Sequence, residues 1–152
     1  MEKIFLRSFL IALSEGHRRK IEDTSLYYLS CAIIADGRLV GLGTNSAIYH
    51  AEVNAALLAA ARGIDIRKSK VVDVIVLRIT RVGKLSAARP CRECLRMLKF
   101  LGVTNIYYST SNGDIVCERG TEMVSNYISY GHRLRGAIEK KNEIYDLCLQ
   151  NI

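Results

Sequence analysis

The sequence predicts an α/β fold, a three-layer α/β/α sandwich built on a central five-stranded mixed sheet. Three observations lead there. Residues 71–80, VVDVIVLRIT, form a nearly unbroken β-branched run of the kind buried on both faces of a sheet. Residues 49–63 and 90–102 are segments of helical composition, each closed by a glycine. Asp36-Gly37 and Asn112-Gly113 lie between apolar runs and mark tight turns.

The elements follow in order. MEKIFLRSFLIAL carries Ile4, Phe5, Phe9, Leu10 and Leu13 at helical spacing, which reads as an amphipathic first helix packed on the sheet. Arg7 interrupts its apolar run and GHRRK follows where a small-residue cleavage site would stand, so it does not read as a signal peptide. LYYLSCAIIADGRLVGLGTN reads as a hairpin turning at Asp36-Gly37. The helix from His50 ends at Gly63, the buried strand 71–80 follows, and RVGKLSAAR is a loop. A second helix starts at Pro90, a residue tolerated at helix starts, and ends at Gly102. VTNIYYST and DIVCE are strands joined by Asn112-Gly113, a tight connection that makes the last pair an antiparallel hairpin. Residues 131–150 read as a closing helix with Leu134, Ala137, Ile138, Ile144, Leu147 and Leu149 as its apolar residues. The order α-β-β-α-β-α-β-β-α places helices on both faces of the sheet.

Composition bounds the rest. The 152 residues make one domain, with a core over about residues 1–120 and the closing helix at 131–150. No segment is long and apolar enough to span a membrane. Of the five cysteines, two belong to one short motif and the other three, Cys31, Cys117 and Cys148, are scattered singles. This implies an intracellular, cytoplasmic protein with those three as buried apolar residues. The net charge of +7 draws on the basic stretch from Arg62 to Lys70 and on Arg78, Arg81, Lys84, Arg89, Arg92, Arg96 and Lys99. Such a surface is either a solvated face or a site of attraction for phosphate.

Two short motifs carry the chemistry: His50-Ala51-Glu52 and Pro90-Cys91-Arg92-Glu93-Cys94. His50, Cys91 and Cys94 offer one imidazole and two thiolates, three ligands for a catalytic Zn²⁺ with its fourth position open to water. Cys91 and Cys94 are three residues apart, so a helix puts both sulfurs on one side. Glu52 is a carboxylate two residues from the imidazole, suited to moving protons rather than binding metal. If the two helix N-termini converge, their partial positive ends favour thiolate over thiol. A Cys-x-x-Cys alone would equally suit a redox pair or a structural metal site. No thioredoxin-like order of elements surrounds it, and no fourth ligand sits at finger-like spacing.

The two motifs in this order, H-x-E followed by P-C-x-x-C, are the signature of zinc deaminases. Together with the order of elements, HAEVNAA and PCREC make the chain resemble the cytidine deaminase-like superfamily over about residues 1–120. HAEVNA is similar to the deoxycytidylate deaminase version. The resemblance implies that His50, Cys91 and Cys94 hold zinc and that Glu52 shuttles protons in hydrolytic loss of ammonia. It implies too that Asn45, in GLGTN, contacts a sugar hydroxyl and that Ala51 offers its backbone amide to the ring carbonyl; the alternative for Asn45 is an ordinary strand-end turn residue. It implies a dimer or tetramer.

Two features set the chain apart. The 37 residues between Glu52 and Pro90 exceed the usual length in deoxycytidylate and editing deaminases. The tight last hairpin resembles free cytidine deaminases and a branch with bacterial toxin deaminases, whereas deoxycytidylate and tRNA-editing enzymes make that pair parallel.

These features mix two branches, so neither substrate transfers directly. The chain is compact and shows no dedicated nucleic-acid module, and the favoured substrate is a free pyrimidine nucleoside or nucleotide, cytidine or deoxycytidylate. A rival reading is a nucleic-acid base deaminase acting on cytosine in a single strand or adenosine in RNA. It would use the basic loops as a backbone track and Tyr27, Tyr28, Tyr107 and Tyr108 as stacking platforms, residues that otherwise serve sheet packing. A third reading is a non-catalytic zinc-binding subunit, against which the carboxylate of Glu52 argues.

Overall fold

The computed structural model describes residues 10, 11, 13, 14, 28–46 and 49–127. Most of the first helix and all of the closing helix, with His17, His132 and Cys148, lie outside the described residues. The described elements are β1 (Tyr28–Ala35), β2 (Arg38–Thr44), α1 (Ala51–Ala61), a 3₁₀ turn (Ile66–Lys68), β3 (Val72–Ile79), β4 (Leu85–Ser86), α2 (Arg92–Phe100), β5 (Asn105–Ser109) and β6 (Ile115–Arg119). The sheet runs β2-β1-β3-β5-β6.

Turn chemistry sets the registers. Asp36 and Gly37 both take positive φ, 48° and 80°, as a two-residue hairpin with the twist of its strands requires. Ala35 then pairs with Arg38, and a bulge shifts the register where Ile33 faces Gly41 and Ile34 faces Leu39. The Asp36 carboxylate accepts from the N–H groups of Lys70 and Val71, so this turn also fixes the entry to β3. The last pair, β5 and β6, is antiparallel from Asn105↔Arg119 to Ser109↔Ile115, the hairpin that Asn112-Gly113 predicts.

One element departs from the expected five strands. Leu85 and Ser86, inside the predicted loop 81–89, pair with Ile79 and Arg78 as a short sixth strand. β5 covers β3 only from Asp73 to Val76. The end of β3 therefore has open backbone groups, and the returning loop pairs with them because buried backbone groups seek partners. The Ser109 hydroxyl closes the fork, accepting from Arg78 N–H at 3.1 Å and donating to the Ser86 carbonyl at 2.7 Å.

The core has two sides. On one face Cys31, Ile33, Val74, Val76 and Ile106 pack against α1 and α2. On the other, Ala32, Ile75 and Leu77 pack against Leu10, with Ile11 and Leu13 at the margin. Leu10, Ile11, Leu13 and Ser14 are helical, so the described part of the first helix lies where its apolar spacing predicts.

Topology brings the two helix starts together. β1 is antiparallel to both β2 and β3, so β2 and β3 run the same way, and β3 is parallel to β5. α1 follows β2 and α2 follows β3 on the same face of the sheet. Both N-termini therefore open at the carboxyl ends of parallel strands, the usual place for a site in an α/β sheet.

The seat of α1 is unusually close. A Cβ on Gly41 would meet the Ala55 carbonyl oxygen at 2.4 Å. A Cβ on Gly43 would meet Ala55 N at 2.5 Å and the Ala51 oxygen at 2.7 Å. Ala51, Ala55 and Ala59 are fully buried, and small residues on both sides let helix backbone touch strand backbone. The Asn54 amide then donates to the Thr44 carbonyl at 2.7 Å and locks the helix lengthwise. Gly43→Ala is expected to force α1 off β2 and cost about 1–3 kcal/mol. The urea midpoint of the purified variant measures it.

Candidate metal centre

His50 and Cys91 occupy equivalent positions. Each is the residue capping the N-terminus of its helix, with φ −71° and an extended ψ of 159° or 167°. The first intrahelical bonds start from their carbonyls, Asn54 N–H to His50 at 3.1 Å and Leu95 N–H to Cys91 at 2.9 Å. The expectation that His50 lies within the first turn is thus corrected by one position, and Pro90 precedes the cap rather than opening the helix. Both helices stop as predicted. Gly63 and Gly102 take φ +74° and form left-handed caps, with Ile64 and Val103 N–H groups returning to Ala59 and Leu98.

The predicted donors meet. His50 Nδ1 lies 3.4 Å from Cys94 Sγ and 3.7 Å from Cys91 Sγ. The ligand atoms of His50, Cys91 and Cys94 all fall within 4.8 Å of one another. No other such cluster of His, Cys, Asp and Glu forms among the described residues. One half-buried imidazole and two buried sulfurs can hold a metal ion, and the set suits a borderline-soft cation such as zinc.

Glu52 lies in the first turn of α1 and is only 2 % exposed. Its charge is felt at His50, Cys94 and Cys31, which places the carboxylate beside the sulfur–imidazole cluster. Burial alone would lower the His50 pKa, but its hydrogen bond with Cys91 and the Glu52 charge carry the net shift upward. Burial pushes the Cys94 thiol well up, and the Glu52 charge adds to it. A bound cation would reverse these pressures, since coordination favours thiolate.

Ala51 is fully buried as the first helical residue, so its N–H belongs to the turn that has no intrahelical acceptor. Asn45 braces the end of the hairpin. Its Oδ1 accepts from Leu29 N–H at 2.9 Å, and its own N–H donates to the Leu29 carbonyl at 3.2 Å.

The sheet-packing reading of the tyrosines holds where they are described: Tyr28 is 3 % exposed in the sheet, and Tyr107 and Tyr108 pack half-buried on opposite faces. Tyr27 lies outside the described residues. Cys31 is buried as expected, but Cys117 is exposed, because edge strand β6 presents its outer face openly. Sequence reasoning missed Asn54, whose bond to Thr44 fixes α1. It also missed a trio of Arg89, Tyr108 and Glu118 next to the cysteine motif. Only the position of Arg89 before Pro90 could have signalled the latter.

This arrangement defines a protein of cytidine deaminase-like fold. A solved structure of cytidine deaminase from Burkholderia pseudomallei matches 84 % of this chain and 100 % of its own, with a TM-score of 0.55 at 18 % identity. No protein-family model matches the sequence, and no curated protein matches it. Among the described residues no helix is long and apolar enough to cross a membrane.

The raised thiols give a stability prediction. Cys31 and Cys94 stay protonated in the folded chain, while an unfolded cysteine ionises near pH 8.5. Their contribution is therefore complete below that pH and lost as pH rises above it, by up to about 1.4 kcal/mol per pH unit for each thiol. Urea midpoints of the metal-free protein between pH 7 and 10 should fall accordingly. Cys31→Ala should flatten the slope.

Proposed function

We propose that the protein is a zinc-dependent hydrolytic deaminase of a cytosine-type nucleoside or nucleotide. The observation that carries this is the meeting of His50, Cys91 and Cys94 at two helix N-termini, with the buried carboxylate of Glu52 beside them. Zinc held by these three residues would supply a Lewis acid that brings a water's pKa close to neutrality. Glu52 would take a proton from the attacking water as the water's oxygen adds to the ring carbon bearing the amine, C4 in cytosine. Glu52 then passes that proton to the ring nitrogen, takes the second proton from the added hydroxyl and delivers it to the departing amine. The C–N bond breaks, ammonia leaves, and a ring carbonyl remains. The Ala51 N–H orients the ring carbonyl. Asn45 would meet a sugar hydroxyl, the role the resemblance implies.

A small substrate is supported by the antiparallel β5–β6 pair, the arrangement likened above to free cytidine deaminases, and by the name of the structural neighbour. One observation favours the nucleic-acid reading. Arg92, Arg96 and Lys99 line the exposed side of α2 from the donor cluster toward Phe100, whose ring lies 5.3 Å from the Arg67 guanidinium. Glu93 lies 3.5 Å from both Arg92 and Arg96 and partly neutralises that row.

Ammonia release from zinc-loaded protein tests both readings on cytosine, cytidine, deoxycytidine, their monophosphates, adenosine, and single-stranded DNA and RNA. Turnover on a small pyrimidine with little response to salt is the expected result. Turnover on polymer alone, weakening steeply with ionic strength, would establish the nucleic-acid reading. Zinc binding without turnover on any of these would favour a non-catalytic subunit. Glu52→Ala is expected to keep zinc and lower turnover at least about 100-fold, while Cys91→Ser loses zinc. Metal content and initial rates of the two variants check the roles.

A further inference from the structure

We propose that Arg89, Glu118 and Tyr108 act as a positioning network that sets where Cys91 presents its sulfur, an inference that rests on the metal-centre reading above. Arg89 Nε and Nη2 reach the two oxygens of Glu118 at 3.0 and 3.3 Å, a forked pairing across 29 residues of sequence. The Tyr108 hydroxyl donates to the same carboxylate at Oε2. Arg89 and Tyr108 together hold the Glu118 carboxyl below its usual range.

The placement is what points to the metal. Arg89 is separated from Cys91 only by Pro90, which is buried and whose ring fixes φ. One residue before Arg89, the Ala88 N–H donates to the Ser109 carbonyl at 2.9 Å. Two consecutive residues are thus pinned to the β5–β6 hairpin, one by backbone and one by a charged fork, and the chain then reaches the sulfur through a stiff link. Cys91 caps α2 without a side-chain capping bond, its carbonyl accepting from Leu95 N–H at 2.9 Å and the next N–H, of Arg92, donating to the Tyr127 carbonyl at 2.7 Å. An exposed ion pair ordinarily adds little to stability. Its forked geometry gives orientation instead, and groups that orient a ligand typically alter metal affinity 10- to 100-fold.

The test measures zinc affinity by chelator competition and records the absorption bands of the cobalt-substituted protein, for the unaltered chain, Glu118→Gln and Tyr108→Phe. Urea midpoints of the metal-free forms serve as the structural control. Glu118→Gln is expected to weaken zinc binding roughly 10- to 100-fold and to change the thiolate–cobalt bands, with little change in the metal-free midpoint. Tyr108→Phe keeps the ring packing and should change affinity and bands in the same direction by less. Unchanged affinity and bands in both variants, with two-thiolate cobalt bands in the unaltered protein, would overturn the network alone. A loss of affinity matched by loss of metal-free stability would assign the trio to the fold and overturn it likewise. An unaltered protein that takes up neither metal would remove the metal-centre reading, and this proposal with it.

Discussion

The close seat of α1 on β2 is the constraint on which the site depends. Helix and strand usually keep a side chain's distance, but Gly41 and Gly43 let the Ala51–Ala55 backbone approach to where a methyl group would not fit. His50 and Glu52 bracket the first residue of that contact. A small shift of the helix would move the imidazole and the carboxylate together, relative to sulfurs carried by a different helix. The tolerance is narrow because packed interiors do not deform smoothly.

Electrostatics sharpens the demand. Two sulfurs, an imidazole and a carboxylate share a space shielded from water, with Cys31 beneath them on β1. Burial opposes charge, so in the absence of a cation the Cys31 and Cys94 thiols resist ionisation. A divalent ion would let both ligand thiols ionise and would draw protons from the site as it binds. The N-terminal ends of α1 and α2 add partial positive charge on the same side. The same arrangement that strains the metal-free site thus fits a cationic centre.

Much of this was legible in the sequence, for definable reasons. The His-Ala-Glu and Cys-x-x-Cys motifs could be read as one candidate metal cluster because metal chemistry restricts residue type and spacing, and both glycine stops were readable because few residues accept positive φ. The Asp36-Gly37 turn was readable on the same ground. The short strand at Leu85–Ser86 was not, since two residues carry no periodicity and their pairing arises from the uncovered end of β3. The helix starts moved by one position because His and Cys are weak capping residues, and only the meeting of the two helices makes them caps. Tyr28 illustrates the opposite limit: an aromatic residue in a strand gives no sign of which face the sheet will cover.

The two halves of the donor set are held by different physics. His50 is placed by backbone lying on backbone, a contact with little freedom. Cys91 hangs from a loop whose bonds lead to the β5–β6 hairpin through Ser109 and Glu118. Antiparallel pairing places Glu118 directly opposite Ile106, on the face that carries α2, and beside Tyr108 two residues along. A slip of one residue would turn Glu118 to the far face and leave Arg89 without its carboxylate. The register of the last strand, which neither metal motif reveals, therefore reaches the sulfur of Cys91.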